Sequence, residues 1–199
     1  VAFTVGVPQA VQRDQADVLR DTLEVLARAA SLDALILTDA AGVEALGVQR
    51  VSLPGADDYA VNTGTNLGGQ PVVMAALGGQ DGEAALFQTP DGTLLMISTP
   101  LYAEGEIVGA VLAGTRLDTL AADLSGSALA SVAIYGADGT LAGTTLDASD
   151  PDLALSPAFF ESTLSDPATV PIRAVSVNSI PYRAADAPLN MGGNVLGMV

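Results

Sequence analysis

Asp147, Asp150 and Asp152 are the closest grouping of metal-capable side chains in the sequence, three carboxylates within six residues. Carboxylate oxygens at short spacing suit calcium, but this segment has neither the mid-loop glycine nor the closing bidentate glutamate of an EF-hand loop, and it reads as a solvated turn. Tyr59, beside Asp57 and Asp58, and Arg116, beside Asp118, are the other groups with polar chemistry to offer. The sequence contains no Cys, His, Lys or Trp. Thiol nucleophiles, imidazole bases, Schiff-base lysines and the usual zinc ligands are thereby removed together. Neither a paired-acid motif nor a G-x-S-x-G elbow is present, so the reading assigns no catalytic residue, no metal and no cofactor. All seven cationic side chains are Arg, set against 23 acids, for a net charge of -16. Such a field repels nucleic acid and anionic membrane surfaces.

The elements that must position these groups begin with a helix. From Pro8 to Ala30 helix formers dominate, with Val11, Val18, Leu19, Leu23, Leu26 and Ala30 on one stripe that can pack on its own domain, serve as a dimer seam, or both. Period-two patterns follow. Ala34–Thr38 and Val43–Val48 flank the turn Asp39-Ala40-Ala41-Gly42, a hairpin signal. A polar loop over 54–66 and a short helix within Leu67–Leu77 precede three strands in a meander, Glu83–Thr89, Thr93–Thr99 and Glu106–Thr115. A helix from about Leu117 is expected to stop before Ser125-Gly126-Ser127, the candidate domain boundary.

The pattern then restarts. Val132–Tyr135, a turn over 136–139 and Thr140–Thr144 repeat the first hairpin, with Gly139 on Gly42. The segment TPLYAEGEIVGAV (99–111) lies without a gap over APLNMGGNVLGMV (187–199), with Gly109 on Gly197. Two stretches repeated in the same order indicate two copies of one αβ unit, and a solenoid needs more repeats. The fold class is α+β: a long N-terminal helix over residues 1–31, then two PAS-like modules with antiparallel sheets over 32–125 and 126–199, the second read as truncated. Both ends read as cut from a longer protein, and no run of about 18 apolar residues occurs.

The leading helix, ALILTDAAGVEALG, DGTLLMISTPLYAEGEIVGAVLAGTRLDTL and the partial second copies together resemble the tandem Cache (double PAS-like) sensors of bacterial chemoreceptors, histidine kinases and nucleotide cyclases. The resemblance implies an extracytoplasmic sensing region flanked by membrane helices, with a cytoplasmic output domain, a homodimer through the N-terminal helix, and a small-molecule ligand in the first, membrane-distal module. Many relatives that take amino acids use a Tyr and an Asp at the third strand and an Asp late in the fifth. These positions fall on Ala85, Phe87 and Gly114, so the polar set is missing. A ligand ammonium without carboxylates or aromatic faces would be left unpaired at a cost of several kcal/mol. The expected ligand is therefore uncharged or anionic, or the pocket is small and empty.

The ligand-contact candidates are Tyr59 as a lid, Phe87, Met96 and Ser98 on one strand face, Gly114, and Arg116 as a fork for a carboxylate. Packing for Tyr59 and Met96, and a surface ion pair with Asp118 or Asp123 for Arg116, are the competing readings. Two other functions fit the same pattern: a cytoplasmic PAS-, GAF- or roadblock-like interaction module, and a structural dimerisation module without a ligand.

Overall fold

The structure is a computed structural model that describes residues 6–13, 16–51, 58–166, 169–191 and 194–199. The chain divides into two compact units, Val1–Ala85 with Leu94–Thr115 and Leu86–Thr93 with Arg116–Val199. No helix among the described residues is long and apolar enough to cross a membrane.

The expected single leading helix is seen as two, α1 (Val7–Gln12) and α2 (Ala16–Ala29), with Arg13 in a turn. Leu19, Leu23 and Ala27 of α2 are buried and Leu26 is packed beside them, the i, i+4, i+7 stripe of a core-facing helix. Ser31 in the left-handed region ends α2, with the Leu32 N–H returning to the Ala27 carbonyl at 2.9 Å. The stripe meets Leu35 and Leu37 of β1 (Ala34–Asp39) and Leu46 and Val48 of β2 (Glu44–Arg50) in one core. Each fully buried leucine contributes about 2 kcal/mol there.

β3 (Tyr59–Asn62) adds to the edge of β2, followed by α3 (Pro71–Leu77), β4 (Glu83–Thr89), β5 (Gly92–Ala103) and β6 (Glu106–Arg116). The sheet order is β3-β2-β1-β6-β5-β4, with β1 antiparallel to both β2 and β6. The meander and the short helix stand where the sequence pattern puts them. Tyr59 lies in a strand, whereas its polar surroundings suggested a loop.

α4 (Leu117–Ala128) runs through Ser125-Gly126-Ser127 and ends at Leu129 in the left-handed region. The Ser127 hydroxyl donates back to the Asp123 carbonyl at 2.9 Å, which occupies the group that would otherwise compete with the helix. Small polar residues thus did not break the helix as expected. The second unit continues with β7 (Ala133–Gly136), β8 (Leu141–Thr144), a 3-10 turn (Pro151–Leu153), α5 (Pro157–Ser165), β9 (Ile172–Val177), β10 (Ile180–Ala185), β11 (Pro188–Met191) and β12 (Asn194–Met198). Four of these strands form a sheet in the order β11-β12-β7-β8, while β9 and β10 form a two-stranded sheet.

The internal repeat is visible in the turns and in one close approach. Gly42 and Gly139 have φ of +78° and +76°, and each donates its N–H to the carbonyl three residues back, Asp39 and Gly136. Gly109 pairs with Asp39 and Gly197 with Gly136. A Cβ on Gly109 would strike the Thr38 carbonyl, and one on Gly197 the Tyr135 carbonyl. Both copies require glycine where the last strand crosses the first.

Candidate functional site

In the first unit, Met96 and Ser98 are fully buried on one side of β5 by strand alternation. α3 covers that side. The Ser98 hydroxyl donates to the Val72 carbonyl at 2.8 Å, with the Glu83 carbonyl 3.5 Å away. Gly114 of β6 lies opposite Ala34 in β1, and a Cβ built on it would run into the Met96 sulfur. The thioether occupies the space that a longer side chain at position 114 would need. Arg116 ends β6 and precedes α4, half-buried, and Phe87 is half-buried in the part of β4 that groups with the second unit. The structure therefore brings Met96, Ser98 and Gly114 to one face.

Tyr59 lies in a different setting. Its hydroxyl donates to the Leu32 carbonyl at 2.6 Å and accepts from Arg50 Nη2 at 3.2 Å. The Arg28 and Arg50 guanidinium carbons lie 5.3 and 5.6 Å from its ring centroid, within cation–π range. Arg50 also pairs through Nε at 3.5 Å with Asp33, whose carboxylate is buried. This cluster ties the end of α2 to β2 and β3, and no local spacing in the sequence announces it.

The second unit contains a cavity of about 510 Å³. One wall is the β9–β10 hairpin, in which burial alternates: Arg173 and Val175 are half-buried and Val177 is buried, while Ile172, Ala174 and Ser176 are exposed. Register puts Val175 opposite Tyr182 and Val177 opposite Ile180. Facing this wall are Val132, Tyr135 and Leu153. Asn178 and Ser179 have φ of 49° and 65°, the pair of left-handed residues that a tight two-residue hairpin turn needs.

The hairpin is fastened at both ends. At its turn, the Asn178 N–H donates to Asp150 Oδ2 at 2.7 Å and Asn178 Nδ2 donates to Asp147 Oδ2 at 3.2 Å. Asp150 also accepts from the Asp152 N–H at 2.9 Å, so two of the aspartates first considered as calcium ligands serve as backbone caps and a latch. The hydrogen bonds from Ser149 and Asn178 hold the Asp147 carboxyl below the usual aspartate range. At the base, Arg173 Nε donates to Asp186 Oδ2 at 2.9 Å and Nη2 to Oδ1 at 3.3 Å.

Burial works against the Arg173 charge, but the Asp186 hydrogen bonds and charge outweigh it and raise its pKa above the ordinary guanidinium value. The guanidinium also lies 5.5 Å from the Phe159 ring centroid, and its charge acts on the Tyr135 phenol. Tyr135 in turn donates to the Leu153 carbonyl at 2.8 Å. Burial is the main cause of a phenol pKa above the ordinary value of about 10, partly opposed by the nearby Arg173. The arrangement is an apolar chamber with one neutralised ion pair and a phenol network at its end. Among the described residues no group of acids is placed to hold a metal ion.

Over residues 1–199 the sequence matches the family described as the double sensory domain of two-component sensor kinases. No curated protein matches it. Among solved structures, the extracellular domain of the histidine kinase vpHK1S-Z8 superposes with a TM-score of 0.65 at 10% identity, over 98% of this chain and 77% of that one. The sensor domain of the V. cholerae histidine kinase DctB gives 0.57 at 14% identity, over 98% and 81%. The ligand-binding domain of the Campylobacter jejuni chemoreceptor Tlp3, in complex with 4-methylisoleucine, gives 0.56 at 12% identity, over 94% and 72%. At such identities these structures share the fold with this chain. The match across the full length, with two units that repeat the same hairpin turn and the same crossing glycine, places the chain in the double Cache family of sensory domains.

Proposed function

We propose that this chain is the extracytoplasmic, ligand-reading region of a membrane-spanning receptor with a cytoplasmic output domain, and that its ligand occupies the cavity of the second unit. The observation that carries the reading is that cavity, about 510 Å³, within the roughly 300–1,000 Å³ range of small-molecule sites. At the expected site in the first unit, Met96 fills the space over Gly114 and Ser98 is engaged by α3. Whereas Tlp3 is seen in complex with 4-methylisoleucine, the ligand here is uncharged or anionic, since the carboxylate side chain lining this cavity, Asp186, is already paired with Arg173 and is not open to an ammonium. A homodimer through the N-terminal helices completes the proposal and relays a ligand-induced shift towards the membrane.

Thermal denaturation of the purified chain against a broad metabolite panel tests the reading. A ligand present at 100 times its Kd stabilises the folded state by about 2.7 kcal/mol. No stabilisation by any uncharged or anionic compound would support the ligand-free structural module instead. Protease added to intact spheroplasts carrying the full receptor should cleave this region; complete protection would overturn the extracytoplasmic placement.

A further inference from the structure

We infer that the second-unit cavity selects an uncharged carbonyl compound with an apolar body, such as an amide, ketone or lactone of about six to ten carbons. This rests on the proposal that the cavity is the ligand site and adds the ligand's chemistry.

Charge decides first. Arg173 and Asp186 are the charged side chains on the inner wall, and they cancel through two hydrogen bonds. Arg183 borders the cavity, but strand alternation sets it on the exposed side of β10 with Pro181 and Ala185. A ligand bearing a net charge would leave water for an apolar chamber whose own ions are already satisfied, a transfer that costs several kcal/mol without a partner. An amino acid would meet that cost at both ends. An anion on the remaining guanidinium donors would sit beside Asp186, whose carboxylate already neutralises that charge and repels a second negative one.

Hydrogen-bonding capacity decides next. A guanidinium has five N–H donors. Two go to Asp186. Three remain, held by a side chain that the Phe159 ring and Asp186 fix in place. The wall thus offers preorganised donors to an acceptor, and a carbonyl oxygen is an acceptor that carries no net charge. Val132, Val175, Val177 and Leu153 supply the apolar surface for the rest of the molecule.

Hexanamide, hexanoate and hexylamine share one chain and differ in head-group charge, so calorimetric titration of the purified chain with each isolates the selection. Hexanamide should bind at least about tenfold more tightly than either ion, a difference of about 1.4 kcal/mol. Val175→Trp fills the chamber and should abolish hexanamide binding while the thermal transition is retained; Ala184→Leu, also on the inner side of β10, serves if the tryptophan variant does not fold. Equal or tighter binding of hexanoate or hexylamine, or no binding by hexanamide, overturns the inferred class. If Val175→Trp still abolishes whichever probe binds, the cavity remains the ligand site and only its selectivity was misjudged. If hexanamide binds equally well to the filled variants, both readings fall.

Discussion

Arg173 and Asp186 close on each other across the base of the β9–β10 hairpin, with the Asp186 side chain only 5% exposed and that of Arg173 23%. The two members are therefore unequal. Arg173→Met strands a buried carboxylate and should destabilise the second unit by about 3 kcal/mol. Asp186→Asn leaves a guanidinium that still reaches water and the Phe159 ring, and should cost about half as much. Urea denaturation of the two variants checks the order; equal losses would show that the pair is not the buried anchor described.

The phenol of Tyr135 supplies a pH signature. Its pKa is raised, chiefly by burial, so the folded state holds the proton more tightly than the unfolded one. The corresponding stability is fully present below the unfolded value of about 10 and is lost as pH rises through the folded value. Absorbance of ionised tyrosine should show a late-titrating component from Tyr135, with second-unit stability falling in the same range. Tyr135→Phe should remove the late component and cost about 1 kcal/mol at neutral pH, because the Leu153 carbonyl loses its donor.

Much of the fold was legible because its turns carry their own chemistry. Asp39 Oδ1 accepts from the Ala41 and Val43 N–H groups, and Asp138 Oδ1 from the Thr140 N–H. Asp and Gly at those places identify both hairpins, and repetition of Gly109 as Gly197 identifies the second copy. The cavity was not legible. Between Asp147 and Asp186 no element was assigned, although Ile172–Val177 alternates and Asn178-Ser179 can form a tight turn. Arg173 and Asp186 meet because β9 and β10 pair in register, a relation between strands that local spacing does not reveal. The Tyr59 cluster was missed for the same reason, since Leu32, Arg50 and Tyr59 converge from separate elements.

Met96 and Gly114 make a second test of packing. Gly114→Asp, which would restore the carboxylate found in many amino-acid-binding relatives, should destabilise the first unit by about 3 kcal/mol, since it overpacks the methionine and buries a charge. Met96→Ala combined with Gly114→Asp should recover about 1 kcal/mol or more by opening the space. Additive losses in the double variant, read by urea denaturation, would show that the two positions do not compete for one volume.

The proposed dimer needs a probe outside the core. Leu23 is fully buried and Leu26 packs beside it, so substitutions there would unfold the unit before reporting on association. Val25 is 65% exposed on the other side of α2. Val25→Glu should weaken self-association of the purified chain by about tenfold in sedimentation velocity while leaving the thermal transition unchanged. An unaltered association constant would remove α2 from the dimer contact.

The hairpin latch yields the last prediction. Asp147 holds Asn178 most strongly as a carboxylate, and hydrogen bonds from Ser149 and Asn178 lower its pKa. A depressed folded pKa means that the latch is fully formed above the unfolded value of about 3.9 and is lost as pH falls through the folded value. Acidification from about pH 7 to pH 5 should therefore leave ligand affinity and amide exchange at Asn178 governed by the intact turn, with the Asp147 carbon resonance midpoint below that of an ordinary aspartate. Asp147→Ala should speed exchange of the hairpin amides and ligand dissociation together at neutral pH, because the wall over the cavity then keeps the Asp150 bond at its turn but loses that of Asp147. If the variant releases ligand at the parental rate while exchange quickens, the turn moves without opening the cavity, and the base pair of Arg173 and Asp186 is the contact that controls release.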